Sequence, residues 1–354
     1  MAIGNSLTSW KMAEKTCPSD GLSVAIGRNV LNNSYTLYGG ELSLFTRKLE
    51  AALIFYKADF SQAAKTPANA AELETRSGTH QVPVLQTPEN WMISDTTPIM
   101  SLLDGRFSQR QMFPNGELGV LVHVLEDHFD EWIARVMVHY RWHYPDSASF
   151  AANKMAGGNE QAAAQVLAWG PRACRATGTE SPVQQAAAEA EYHRILQAAE
   201  DQLQRTAFLL GDRPTALDCA VLGGLRAHTY MDPDPKKVTR NFPVVVDWLT
   251  RRADLWDGSG ELAPLTEPTP FAIHVLSEMP TTYQPYLLAN QAAQAAGAKA
   301  FHIPVYGEEV SYLSRPYPER ARKMVAARIE QLPKVARQGV HNWLDEHQMG
   351  SAYS

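Results

Sequence analysis

The sequence predicts a small mixed α/β domain followed by an all-α domain. Two observations carry that reading. Between Tyr35 and Phe107, short β-forming runs alternate with helical patterns in the order β-α-β-α-β-β-α. After "MFPNGELG" the strand signals stop and only helical periodicities follow. The chain's 354 residues also exceed the usual limit of one hydrophobic core. The expected organisation is an N-terminal extension over 1–33, an α/β domain over 34–112, an all-helical domain over 117–260 and a mostly helical extension over 261–354.

The elements follow in order. Residues 1–33 show no sustained periodicity. "SYTLY" reads as a strand that stops at Gly39-Gly40, and Leu44 to Tyr56 as a helix with Leu49, Ala52, Leu53 and Tyr56 on one face. An extended piece near "YKADF" predicts a second strand, and "ANAAELETRSG" a helix that closes on Gly78. "QVPVLQT" and "WMISD" read as strands joined by the turn "PEN". In "TTPIMSLLDGRF", Thr96 can cap a helix and Pro98 sits in its first turn, where a missing N–H costs little. Further on, "LGVLVHVLEDHFDEWIARVMVHYRWHY" predicts one long helix and "SPVQQAAAEAEYHRILQAAEDQLQRT" another. In "PTALD", Thr215 and Asp218 fit a capping box at the head of an apolar helix. "NFPVVVDWLTRRADLW" is helical and "DGSGELAPLTEPTP" linker-like. In the extension, "PVYGEEVSYLSRPYPERA" predicts an ordered wrap, and the Arg- and Lys-rich stretch from Arg315 to Arg337 a helix with a solvated charged face.

Bulk properties exclude several classes. A composition of 45% hydrophobic and 20% charged residues is that of a globular protein, and a net charge of −6 leaves no footprint for nucleic acid or an anionic membrane. No apolar run reaches the roughly 18 to 20 residues that cross a bilayer, and the N-terminal stretch lacks a signal peptide's apolar core. Cys17, Cys174 and Cys219 are too few and scattered for a disulfide framework or zinc site, so a reducing cytoplasm is expected. His139 and His143 have a metal-ligand spacing, but no third ligand accompanies them, and no metal is expected.

The chemistry concentrates in "YTLYGGELSLFTRKLEAAL", which places Ser43 where a strand, a tight turn and a helix N-terminus meet. Orphan N–H groups and the helix dipole favour an anion there. Together with "HQVPVL", "ISDTTPIMSLLDGRF" and "FLLGDRPTALDCAVLG", in this order over residues 34 to 256, the stretch resembles the glutathione transferase superfamily: a thioredoxin-like domain followed by a helical domain. The resemblance implies that Ser43 stands where members carry a catalytic serine or cysteine, with Tyr38 as the rival donor. It implies a cis Val82–Pro83 bond whose Val82 backbone pairs with the tripeptide. Asp95 would hold the γ-glutamyl amino group, Thr96 a carboxylate, and Arg76, Thr79 and His80 the glycyl end. With no cysteine at 43 or 46, thiol-transferase activity is disfavoured. Glutathione would then be the co-substrate of a homodimeric serine-type transferase or lyase acting on a small apolar or aromatic electrophile. Tyr140, Arg141, Trp142 and Tyr144 are the candidate walls of the electrophile pocket. The alternative is a non-catalytic carrier or regulator that binds glutathione or another ligand.

Overall fold

The computed structural model describes residues 34–251 and 260–354; the reading of 1–33 as an extension, the helix end "ADLW" and the start of the linker lie outside them. Four short strands form one sheet in the order β2-β1-β3-β4. β1 (Tyr35–Tyr38) runs parallel to β2 (Phe60–Ala63), while β3 (Val84–Gln86) pairs antiparallel with β1 and with β4 (Met92–Ser94). The second strand therefore begins at the last residue of "YKADF". The parallel β1–β2 pair needs a crossover, which α1 (Leu44–Tyr56) supplies; α2 (Ala70–Ser77) closes on Gly78 at φ 73°. α3 (Thr96–Arg106) follows β4 directly. The predicted face of α1 is fully buried: Leu49, Ala52, Leu53 and Tyr56 are each at most 1% exposed.

Strands do return after residue 112, against the sequence reading. The helical part comprises α4 (Glu117–His128), α5 (Ala134–His143), α6 (Pro145–Met155), α7 (Glu160–Ala176), α8 (Pro182–Leu203), α9 (Ala216–Gly224), α10 (Pro233–Thr239) and α11 (Pro243–Thr250). The extension adds α12 (Pro270–Glu278), α13 (Tyr283–Ala295), a hairpin of β5 (Ala300–Val305) and β6 (Glu308–Leu313), then α14 (Pro316–Glu330) and α15 (Lys334–Glu346). The hairpin turns on Tyr306 and Gly307 with φ 51° and 82°, the left-handed pair a two-residue turn requires. The predicted long helix 118–144 is interrupted by a π-helical turn, Phe129–Ile133, between α4 and α5.

Two devices fix α1 against the helices. A Cβ on Gly223 of α9 would lie 2.7 Å from the Leu44 carbonyl, so only glycine permits this crossing. At the head of α9 the capping box forms as read: Asp218 accepts from the Thr215 N–H at 2.8 Å, and also from the Leu209 N–H at 2.9 Å. Burial pushes Asp218 up to about 6, and those donors pull it back.

Candidate functional site

One cleft gathers much of the predicted chemistry. Its first wall comes from the segment before β3 and from the β4–α3 junction: Thr79, Gln81, Val82, Pro83, Ser94, Asp95 and Thr96 all line it. The Val82–Pro83 bond is cis. Asp95 stands at φ 76° and ψ 110°, a left-handed setting that costs a non-glycine residue about 1–2 kcal/mol. It sits just ahead of the first turn of α3, whose free N–H groups begin at the cleft. The resulting corner offers backbone donors, a helix dipole and one carboxylate.

The opposite wall is α14 with Arg315 just before it. The Arg320 Nη1 donates to Asp95 Oδ2 at 2.8 Å, and the Arg315 Nη2 donates to Glu131 Oε2 at 2.9 Å and to the Tyr286 hydroxyl at 2.8 Å. Arg322 is buried and bonded to Glu319 and the Ala352 carbonyl. The basic stretch is thus no simple solvated face, which corrects the sequence reading: Arg315 and Arg320 turn inward because carboxylates wait there. Asp127, Asp130 and Glu131 line the cleft from α4 and the π-helical turn.

Beneath it lies a charged cluster that the sequence reading missed. Lys48, on the buried side of α1 and wholly enclosed, donates to both Glu126 and Asp130 and to the Thr97 hydroxyl at 3.3 Å. Thr97 in turn donates to Glu126 at 2.6 Å. Burial opposes the Lys48 charge, but its two carboxylate partners hold its pKa above the ordinary value. One ammonium serves two carboxylates, so burial and the Glu126 charge raise Asp130 despite Lys48. Burial, aided by the Glu131 charge, also raises Asp127. One oxygen of Asp127 and one of Asp130 have no hydrogen-bond partner.

Ser43 caps α1. Its Oγ accepts from the Thr46 N–H at 3.2 Å, with φ −98° and ψ 117°. Capping uses one lone pair of a hydroxyl that keeps its O–H to donate. Ser43 is half-buried and does not line the cleft; Phe45, two residues on, does. The Tyr38 hydroxyl donates to Gln86 Oε1 at 3.2 Å, also outside the lining. Arg76 is exposed and held by Glu72 and Asn90, and His80 is exposed with its carbonyl taken by Lys65. Of the expected glycyl-end residues, only Thr79 reaches the cleft.

Tyr140, Arg141, Trp142 and Tyr144 do not line it either. Arg141 is a buried brace. It donates to Asp232 at 2.8 and 3.0 Å and to the Leu42 carbonyl at 2.7 Å, which ties the start of α1 to the helices. Tyr140 stacks on Tyr144, whose hydroxyl donates to Glu189 at 2.6 Å, and Trp142 meets Trp169 edge-on at 5.6 Å. The physical reason is distance along the helix: Glu131 is the last residue of this stretch to line the cleft, and Tyr140 lies nine residues beyond it, about 13 Å along the axis. Cys219 is fully buried beside Met112, and burial pushes its thiol well above the ordinary value, as befits a core residue.

Comparisons with known proteins bear on this arrangement. Residues 164–255 match the family model "Glutathione S-transferase, C-terminal domain". The comparison with curated proteins found no match. Among solved structures, a glutathione S-transferase from Rhodospirillum rubrum F11 is 18% identical over 68% of this chain and 99% of its own, with a TM-score of 0.44. A beta-etherase from Sphingobium sp. strain SYK-6 is 15% identical over 62% and 96%, with a TM-score of 0.46. A glutathione S-transferase from Methylobacillus flagellatus KT with GSH bound is 15% identical over 62% and 96%, with a TM-score of 0.41. The family match lies wholly within the helical part that follows the small mixed sheet, so residues 164–255 are similar to the C-terminal domain of a glutathione S-transferase.

Proposed function

We propose that the chain binds glutathione in this cleft and uses its thiolate to attack a small electrophilic carbon, as a serine-type transferase or lyase. One observation supports the reading above the rest: Val82, Pro83, Asp95 and Thr96 converge on one wall beside a helix N-terminus. The Val82 backbone pairs with the tripeptide, and Asp95 and Thr96 take its γ-glutamyl end. The thiol then lies toward the first turn of α1, where the Ser43 hydroxyl donates to the thiolate. Lowering a thiol pKa by about 2 units takes about 2.7 kcal/mol, within reach of one charge-assisted hydrogen bond plus the helix dipole. In the reaction the thiol proton leaves to solvent and a C–S bond forms. The carbon's bond to its leaving group breaks, and the leaving group departs with the electron pair. Where that group is an ether oxygen, a proton from water neutralises it.

A second reading, a glutathione-binding carrier without turnover, is favoured by one fact: Ser43 does not line the cleft. Retention on immobilised glutathione tests the site, and turnover of an electrophile panel by the wild type and Ser43→Ala separates the readings. The enzyme reading expects Ser43→Ala to lose turnover at least about tenfold while still binding glutathione, with about 1 kcal/mol of stability lost from the cap. Full activity in Ser43→Ala would refute the assigned donor; if Tyr38→Phe is then inactive, Tyr38 takes that role. A homodimer belongs to the same proposal. It would need a surface other than α4, whose length from Gly119 to His128 is buried and packed by the chain's own α14 and α15.

A further inference from the structure

The Asp95–Arg320 pair joins two elements that close the cleft from opposite sides, and it sets one carboxylate against one guanidinium, the complements of the two charges of an amino-acid headgroup. We propose that Arg320, in the C-terminal extension, is a ligand-binding residue: an α-amino-acid zwitterion inserts into this pair, its ammonium meeting Asp95 and its carboxylate meeting Arg320. The inference rests on the reading that the γ-glutamyl end of glutathione occupies this corner, and it assigns a residue and a wall which that reading does not include.

Three observations carry it. The first is the charge balance of the lining. Four carboxylates, Asp95, Asp127, Asp130 and Glu131, face two guanidiniums, Arg315 and Arg320. Asp127 and Asp130 are 1% and 8% exposed, and each keeps one oxygen without a hydrogen-bond partner. Burial raises Asp127, Asp130 and Glu131, and Asp130 and Glu131 are already partnered by Lys48 and Arg315, so Asp95 at the mouth is the carboxylate left to receive an ammonium. That fixes the ligand's orientation, with the carboxylate toward α14.

The second is the geometry of Arg320. Its contact with Asp95 is made through Nη1 at 2.8 Å. A guanidinium offers five N–H donors in a planar fork, so Nε and Nη2 present an edge suited to a second carboxylate. The Tyr317 ring lies under the guanidinium, 5.1 Å from its centroid, and holds that plane in the wall. By contrast Arg315 is spent on Glu131 and Tyr286.

The third is the ease of exchange. The Arg320 side chain is 54% exposed, and an ion pair that open contributes little to stability. Separating it to admit a zwitterion replaces one contact by two, each charge-assisted. The bound state is an alternating row: Asp95 carboxylate, ligand ammonium, ligand carboxylate, Arg320 guanidinium.

Calorimetric titration of the full chain tests this with glutathione and with γ-aminobutyryl-cysteinyl-glycine, which lacks only the α-carboxylate. Arg320→Met should weaken glutathione at least about tenfold and leave the analogue within about twofold of the wild type. Arg320→Lys, a point charge without the fork, should fall between. Unchanged thermal midpoints establish that the variants are folded. If Arg320→Met binds glutathione as tightly as the wild type or more tightly, Arg320 is only a competitor for Asp95 and the proposal is overturned while the glutathione reading stands. If the wild type binds neither peptide, the glutathione reading fails and the slot fails with it.

Discussion

Replacing Lys48 by Met removes the one ammonium that two buried carboxylates share, and the structure fixes what that should cost. Glu126 keeps the Thr97 hydroxyl at 2.6 Å. Asp130 loses its Lys48 donor and already has a second oxygen without a partner. Burial raises Asp130 to about 8 even beside Lys48, so near neutral pH both proteins hold its proton and the cost lies in the lost ammonium contacts. Breaking a buried ion pair by removing one partner loses about 3–5 kcal/mol. The sign with pH follows from the Asp130 proton. Its folded pKa lies above the unfolded one, so stability falls as pH rises in both proteins. Above about pH 8 the wild type releases the proton beside Lys48 and its slope flattens, while the variant, without Lys48, keeps the proton and goes on losing stability. The deficit should therefore be alike at pH 5 and pH 7 and larger at pH 9. Urea unfolding followed by tryptophan fluorescence at the three pH values measures it. A deficit below about 1 kcal/mol at pH 7, or no growth by pH 9, would refute the argument. The triple variant Lys48→Met, Glu126→Gln, Asp130→Asn should recover most of the loss, since it leaves no buried charge.

Two further outcomes are expected. Asp218→Ala strands the buried N–H groups of Leu209 and Thr215 and should lose about 2–5 kcal/mol in the same unfolding assay; a loss under 1 kcal/mol would mean that the helix head is held by other contacts. Cys219 should resist an aromatic disulfide reagent in the native protein and react only with denaturant present, because burial keeps its thiol protonated. Mass mapping of label on Cys219 without denaturant would contradict that.

Local signals were legible and distant ones were not. The buried face of α1 follows from helical spacing, and the capping box from Thr215 and Asp218, three positions apart. Lys48 looks like any helix cation, because its partners lie 78 and 82 residues away and nothing near it announces them. The π-helical turn at Phe129–Ile133 has no compositional mark. Tyr140, Arg141, Trp142 and Tyr144 drew notice as an aromatic-rich helix end, and composition does not give their distance along the helix from the cleft. The hairpin of β5 and β6 turns on Tyr-Gly rather than on the Asn-Gly or Asp-Gly pairs that advertise such turns. Arg315 and Arg320 sit in a run of charge, and only the fold shows that acidic groups draw them inward. On the first wall, by contrast, Val82, Pro83, Asp95 and Thr96 were readable because two short motifs carry all four.

That the cleft is shut by α14 has a temporal side. Asp95 and Arg320 are separated by 225 residues, which at about 5–20 residues per second is on the order of 10–45 s of synthesis. Throughout that interval the nascent sheet meets water on a side that the finished molecule covers. Asp127 and Asp130 stay hydrated until the last helices emerge, so the work of drying them falls on the final docking step. A chain stalled before Pro316 would carry the first wall complete and the second missing.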